Sequence, residues 1–145
     1  MKLEHVLQNK GAAVETISPD APVTDLLAKL AEFNIGALVV SSDGATVSGI
    51  VSERDVVRQL AASGADALTM PVSQIMTPTV TCAPPSATTA DLMGLMTESR
   101  VRHVPVLDDE EHMIGIVSIG DVVKSRLGEL EEERNALVEY VNVGR

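Results

Sequence analysis

A chain of 145 residues, 45% hydrophobic and 22% charged, is long enough to bury a core and too apolar to stay disordered. Its net charge of −10, with Phe33 and Tyr140 as the whole complement of Phe, Tyr and Trp, argues against a nucleic-acid partner. Such a partner needs clustered Lys and Arg on its phosphates and stacking platforms for its bases.

In chain order, the start Met1-Lys2-Leu3-Glu4-His5 shows no secretory pattern. A short strand is expected at Glu15 to Ile17, and Ser18-Pro19-Asp20 is a turn and helix-start signal. From about Pro22 to Phe33, Val23, Leu26, Leu27 and Leu30 recur at i, i+3, i+4, i+7, the spacing of an amphipathic helix. Strands Ile35 to Val40 and Val47 to Val51 then flank the turn Ser42-Asp43-Gly44 as a hairpin, and a helix runs from Glu53 to Ala62. No apolar run approaches the roughly 20 residues of a membrane helix; Ile35 to Val40 is among the longest.

After a link from Ser63 to Pro71 the same order returns. A helix carries Leu92, Met93 and Met96, strands Val101 to Leu107 and Met113 to Val117 flank Asp108-Asp109-Glu110, and a helix covers Ile119 to Leu127. The lone Cys82 in this half excludes an internal disulfide, and as a small core thiol it suits the cytoplasm. A longer helix from Lys124 to Val141 places Leu127, Leu130, Leu137, Val138 and Val141 mostly on one stripe, with Glu129 and Glu131 to Glu133 on a solvated face. The stripe overshoots the repeating unit, so a symmetric dimer partner is the expected cover.

The second half is the first half written again. Gly49-Ile50-Val51-Ser52-Glu53-Arg54-Asp55-Val56-Val57 returns as Gly115-Ile116-Val117-Ser118-Ile119-Gly120-Asp121-Val122-Val123, a constant offset of 66 residues. The offset holds without a gap from residues 14–58 to 80–124, matching Val14/Val80, Pro19/Pro85, Asp25/Asp91, Leu26/Leu92 and Val40/Val106. Internal repetition of this kind sets the fold. The expected class is α/β (α+β): two tandem β-α-β-β-α repeats related by a pseudo-twofold axis, their sheets packed together around one shared core, plus a C-terminal helix. Residues 1–66 hold the first repeat with an N-terminal segment, and 67–145 the second with its helical extension.

Each copy ends an apolar strand in Ser-x-x-Asp at a helix mouth. Two readings of that pattern stand side by side. Ser52 and Ser118 with Asp55 and Asp121 form a capping box, which stabilises a helix by about 1 kcal/mol and implies no ligand. Alternatively, the free amides and dipole at the helix start favour a phosphate, and an acceptor-only carboxylate suits the two hydroxyls of a ribose. Six of the eleven basic residues favour the second reading, because Arg54, Arg58, Arg100, Arg102, Lys124 and Arg126 all lie near the motifs.

The two Gly-Ile-Val-Ser-x-x-Asp-Val motifs, together with Arg102-His103-Val104-Pro105-Val106 and Ile75-Met76-Thr77, resemble the cystathionine-β-synthase (CBS) domain in its tandem form. The resemblance covers essentially the whole chain. It implies a stand-alone regulatory module that binds adenosine-containing ligands (AMP, ADP, ATP, sometimes NAD(H) or S-adenosylmethionine) in two clefts between the copies. By the same resemblance Asp55 and Asp121 take ribose hydroxyls and Ser52 and Ser118 lie beside phosphates. Arg102 and His103 direct basic groups at phosphate. Thr77, Val80, Val101 and Pro105, with Val14 and Ile35 in the other copy, line an aliphatic adenine pocket.

The copies differ where charge matters. Gly36-Ala37 and Val39 stand in the first where Arg102-His103 and Pro105 stand in the second, and Glu53 replaces Ile119. The second cleft is therefore the expected mononucleotide site. His5, His103 and His112 have no metal-ligand spacing with one another or with Cys82, and no metal is expected. Met76, Met93 and Met96 read as core filler. No Gly-x-Ser-x-Gly elbow, phosphate-binding lysine loop or Gly-x-Gly-x-x-Gly is present, so no enzyme is expected. The expectation is a cytoplasmic, homodimeric adenine-nucleotide sensor acting on an unknown regulated protein; the alternative is a ligand-independent interaction scaffold.

Overall fold

The computed structural model describes residues 1–11 and 13–144. Its elements are α1 (Leu3–Lys10), β1 (Thr16–Ile17), α2 (Val23–Phe33), β2 (Ala37–Val40), β3 (Gly49–Ser52), α3 (Glu53–Ser63), α4 (Thr89–Ser99), β4 (His103–Leu107), β5 (Met113–Ser118) and α5 (Ile119–Val143). Short 3-10 turns cover Gly64–Thr69 and Val72–Gln74. The mixed α+β class is as the sequence implies, and the β-α-β-β-α order is complete in the first repeat. In the first repeat β1 runs parallel to β2, which pairs antiparallel with β3; in the second, β4 and β5 form the hairpin. The expected opening strand of the second repeat is reduced to one parallel bridge, Ala83 with Val106.

The equivalent helices α2 and α4 stop by the same means. Both α2 and α4 end in a left-handed residue, Asn34 (φ 52°) and Arg100 (φ 53°), again 66 apart. Asn tolerates that conformation far better than Arg, so the second repeat carries the more strained cap. Their starts differ. Thr88 and Asp91 close a capping box on α4, whereas Pro22 gives α2 no side-chain cap. The amide of Val23 bonds instead to the carbonyl of Met70, and the amide of Val72 to the carbonyl of Ala21. The link between the repeats thus closes the start of α2.

The core departs from the single shared interior expected. Two buried clusters form, one per repeat. Ile17, Val23, Leu26, Leu38, Val40, Val51 and Val56 of the first are joined by Val72 and Ile75, just past the link. Leu92, Met96, Val104, Val106, Val117 and Val122 of the second are joined by Leu3, Val6 and Leu7 of α1. The reason is a crossed arrangement. A repeat of about 60 residues buries too little surface alone, and each borrows the segment that leads into the other. Leu3–Lys10, grouped by chain order with the first repeat, packs on the second. The residues 66 positions later, Thr69 to Met76, run along the first.

Two equivalent glycines make this crossing possible. A Cβ on Gly49 would lie 2.6 Å from the Met76 sulfur and 2.9 Å from the Thr77 carbonyl oxygen; one on Gly115 would lie 2.5 Å from a Leu7 methyl. Backbone-to-backbone pairing fixes the same contacts. Ile50 and Thr77 exchange both hydrogen bonds (3.0 and 2.8 Å), while the amides of Leu3 and Glu4 bond to the carbonyls of Ala87 and Pro85.

The two expected helices at the C-terminal end are one helix of 25 residues. Its first half packs on α4 and β5. Every residue from Glu131 to Gly144 is exposed, with Leu137 66% and Tyr140 78% accessible. No helix among the described residues is long and apolar enough to cross a membrane.

Candidate functional site

Each motif occupies the junction of the last strand and last helix of its repeat. The register places Ser52 opposite Ala37 and Ser118 opposite His103. The amide that follows each serine reaches across, Glu53 to the Gly36 carbonyl (3.0 Å) and Ile119 to the Arg102 carbonyl (2.8 Å). Residues 36–37 and 102–103 are thereby fixed beside the helix starts. These are the positions where the copies diverge in charge.

Both capping boxes form. The Asp55 Oδ2 accepts from the Ser52 amide (2.8 Å) and hydroxyl (3.1 Å), and the Asp55 amide donates back to Ser52 Oγ (3.4 Å). The matching distances for Asp121 and Ser118 are 2.9, 2.9 and 3.2 Å. All of these bonds to carboxylate fall on Oδ2. Among the described residues, Oδ1 of each aspartate accepts nothing. A carboxylate offers about four lone-pair directions, so capping on one oxygen leaves the other able to accept ribose hydroxyls. The two readings of the motif are compatible.

What separates the copies is a third participant. The Lys10 ammonium, at the last turn of α1, donates to Asp121 Oδ2 at 2.6 Å and to the Ile116 carbonyl at 2.9 Å. Burial acts to raise the Asp121 carboxyl, but the Lys10 and Ser118 hydrogen bonds outweigh it and hold it below its ordinary value. Burial, then the charges of Lys10 and Arg102, depress the His103 imidazole against the opposing pull of Asp121. Lys10 and Asp121 therefore share one electrostatic neighbourhood with His103, on which Arg102 also acts. By contrast, the residue 66 positions after Lys10 is Met76, a thioether with no proton to donate.

A cleft of about 250 Å³ opens between α1 and α5, lined by Asn9, Lys10, Asp121, Lys124 and Glu129 among others. Glu129 is committed there, taking the N-terminal ammonium (2.6 Å) and Arg126 (2.7 Å). Another of about 410 Å³ lies beside the first motif, lined by Leu27, Leu30, Ala31, Ile35, Gly36 and Glu53. Of the sequence-predicted site residues, Asp121 faces the former and Ile35 the latter. Arg102 is exposed and His103 half-buried at the start of β4, while Pro105 is buried within that strand. Val14, Val80 and Val101 are half-buried. Thr77 is exposed past the link and bound by its backbone to Ile50. Glu53 sits close to Gly36, within 4.0 Å of where a Cβ would stand, so the first repeat has a carboxylate beside the position that Arg102 holds in the second.

Sequence reasoning missed Lys10. It lies outside the repeated stretch, and nothing in its own neighbourhood marks it. Among the described residues, no group of three or more His, Cys, Asp or Glu side chains gathers in metal-binding geometry. Burial and the Glu111 carboxylate raise the Cys82 thiol, but Cys82 is half-buried and outside both core clusters, not the core residue expected.

Comparison with known proteins matches this geometry to relatives. The model of the CBS domain matches residues 12–62 and again 72–128. The chain is 35% identical, over an alignment of 153 residues, to the CBS domain-containing protein CBSX3, mitochondrial, of Arabidopsis thaliana, spanning 98% of this chain and 72% of that protein. The crystal structure of the CBS-domain containing protein ATU1752 from Agrobacterium tumefaciens superimposes with a TM-score of 0.82 at 40% identity, over 87% of this chain and 99% of that one. The CBS domain pair of protein MJ0100, solved with 5′-methylthioadenosine and S-adenosyl-L-methionine, shares the fold (TM-score 0.75, 23% identity, 88% of this chain and 98% of that one). With both repeats matched and 87% of the chain superimposed, the chain belongs to the CBS-domain family, as a tandem pair.

Proposed function

We propose that the chain is a non-catalytic regulatory module that binds an adenosine-containing ligand, with AMP, ADP, ATP or NAD(H) as the candidates. One observation carries the reading. Asp121 keeps Oδ1 as an uncommitted acceptor at a helix start, with Lys10 on its other oxygen and His103 within the same electrostatic field. That is a diol acceptor next to an anion-attracting field on a protein of net charge −10. The same fold in MJ0100 was solved with two adenosine compounds, which supports the ligand class.

In this reading Asp55 and Asp121 accept ribose hydroxyls, and Ser52, Ser118, Arg102 and His103 face phosphate. Thr77, Val80, Val101, Pro105, Val14 and Ile35 contact the base. The second cleft is the stronger, because Glu53 repels phosphate at the first. A ligand held between repeats fixes their relative orientation, and a partner protein reads it. It shifts that output only by its differential affinity for two states.

The module works as a homodimer in the cytoplasm. Residues Glu131 to Val143 make about 20 Å of helix with no intrachain cover, and isolated helices this short are marginal in water. Val123, Leu127 and Leu130, and again Leu137 and Val141, fall at the three–four spacing of a two-helix seam, with Arg134 at the position between.

A melting-temperature screen against AMP, ATP, NADH and S-adenosylmethionine tests the reading. A ligand at about 100 times its Kd adds roughly 2.7 kcal/mol to the bound form, a shift of several degrees. The complete capping boxes and the uncovered α5 stripe favour one alternative, a ligand-independent scaffold. No shift with any of the four compounds decides for the scaffold.

A further inference from the structure

Lys10 belongs to neither repeat, yet its ammonium reaches the same carboxylate that the nucleotide reading assigns to ribose. It is positioned rather than adventitious. Leu3 and Leu7 of the same helix are buried in the second core, Gly115 admits Leu7, and the ammonium makes two hydrogen bonds, to Asp121 and Ile116. Both partners in the ion pair retain solvent access, with side chains 33% and 23% exposed. The contact is therefore one a ligand can reach and rearrange.

We infer that Lys10 is a specificity-determining residue of the second cleft, which leaves Asp121 for the ligand's phosphate when a nucleotide binds. This inference rests on the nucleotide reading above and names the selectivity of that site. A lysine is suited to the exchange: a compact, strongly charged group on a flexible four-carbon stem, able to satisfy either anion. Oδ1 of Asp121 can take one ribose hydroxyl, but the second needs Oδ2, where Lys10 already donates, and an uncharged nucleoside gives the displaced ammonium nothing in return. A phosphorylated one supplies a replacement anion, beside Arg102 and His103. The cleft then favours nucleotides over nucleosides. The first repeat lacks the device, since Met76 holds the corresponding position.

The test is calorimetric titration of the full chain with AMP and with adenosine, for wild type, Lys10→Met and Lys10→Arg. Removing the ammonium strengthens adenosine binding severalfold, because Asp121 is released. It weakens AMP binding about tenfold, the lower end for a charge-assisted hydrogen bond. Lys10→Arg keeps the wild-type preference for AMP. A merely structural role for Lys10 moves both affinities in the same direction, so an unchanged AMP-to-adenosine ratio in folded Lys10→Met overturns the inference while leaving the nucleotide site standing. Wild-type protein that binds neither compound overturns the parent reading and this one with it. Unfolding of Lys10→Met transfers the test to Lys10→Gln, read against the same ratio.

Discussion

The two repeats share a motif, a capping box and a hairpin register, yet they are not equivalent sites. In the first, Gly36 and Ala37 lie across from the helix start, with Glu53 beside Gly36; in the second, Asp121 is paired with the imported Lys10 and acts on His103, as Arg102 does. The identical part, Ser-x-x-Asp, serves the helix in both copies. On the proposed reading, the part that differs decides what charge each cleft accepts. Duplication preserved the mechanical element and left the electrostatic one free to diverge.

The crossed leading segments give the largest expected effect. Leu3 is fully buried in the second cluster, and Leu3→Ala should cost about 2–5 kcal/mol in urea unfolding. It should also release Lys10 from Asp121, since α1 has only eight residues to hold itself. A loss below about 1 kcal/mol, well under that range, would mean α1 contributes little to the second repeat. Next comes Asp121→Ala, which should weaken AMP binding by about one to two orders of magnitude. Asp55→Ala should change it less than threefold. Equal losses measured by calorimetry would erase the distinction drawn between the clefts.

The two crossing glycines sharpen the comparison in stability. An alanine at Gly49 meets the Thr77 backbone oxygen, whereas one at Gly115 meets the end of the Leu7 side chain. Gly49→Ala should cost about 1–3 kcal/mol and Gly115→Ala less, because a leucine can turn and a paired backbone cannot. The reverse order in denaturant melts would show that the second crossing is the tighter. The caps should be the equal pair. Ser52→Ala and Ser118→Ala should each cost about 1 kcal/mol.

A smaller, pH-dependent difference follows from Asp121. Its carboxyl is held below the ordinary value, so the unfolded chain takes up the proton first as pH falls. The stabilisation is complete above the unfolded value of about 3.9 and is lost as pH drops through the depressed folded value. The stability gap between wild type and Asp121→Asn should shrink in acid below about pH 4. A gap that stays constant there would show that the Lys10 contact does not persist in solution.

Much of the fold was legible in the chain. The apolar periodicity of Val23, Leu26, Leu27 and Leu30 marked α2, and the repeated Gly-Ile-Val-Ser marked both β3–α3 and β5–α5. The shared core was the misjudged point. Periodicity reports which face of an element is apolar, not which segment covers it, and here α1 and the link exchange places. The opening strand of the second repeat also shrank to a single bridge at Ala83, although its sequence matches the first copy at Val14/Val80 and Pro19/Pro85.

By itself the sequence determined the duplication, the two capped helix mouths and the charge contrast between residues 36–37 and 102–103. All three are local or offset patterns, encoded in the order of residues. Only the tertiary structure decided that Lys10 stands at Asp121, because that contact spans 111 positions and depends on how two half-cores trade their leading segments. Spacing within a repeat carries no trace of such an exchange, since the energy that drives it is buried area, which has no fixed address along the chain.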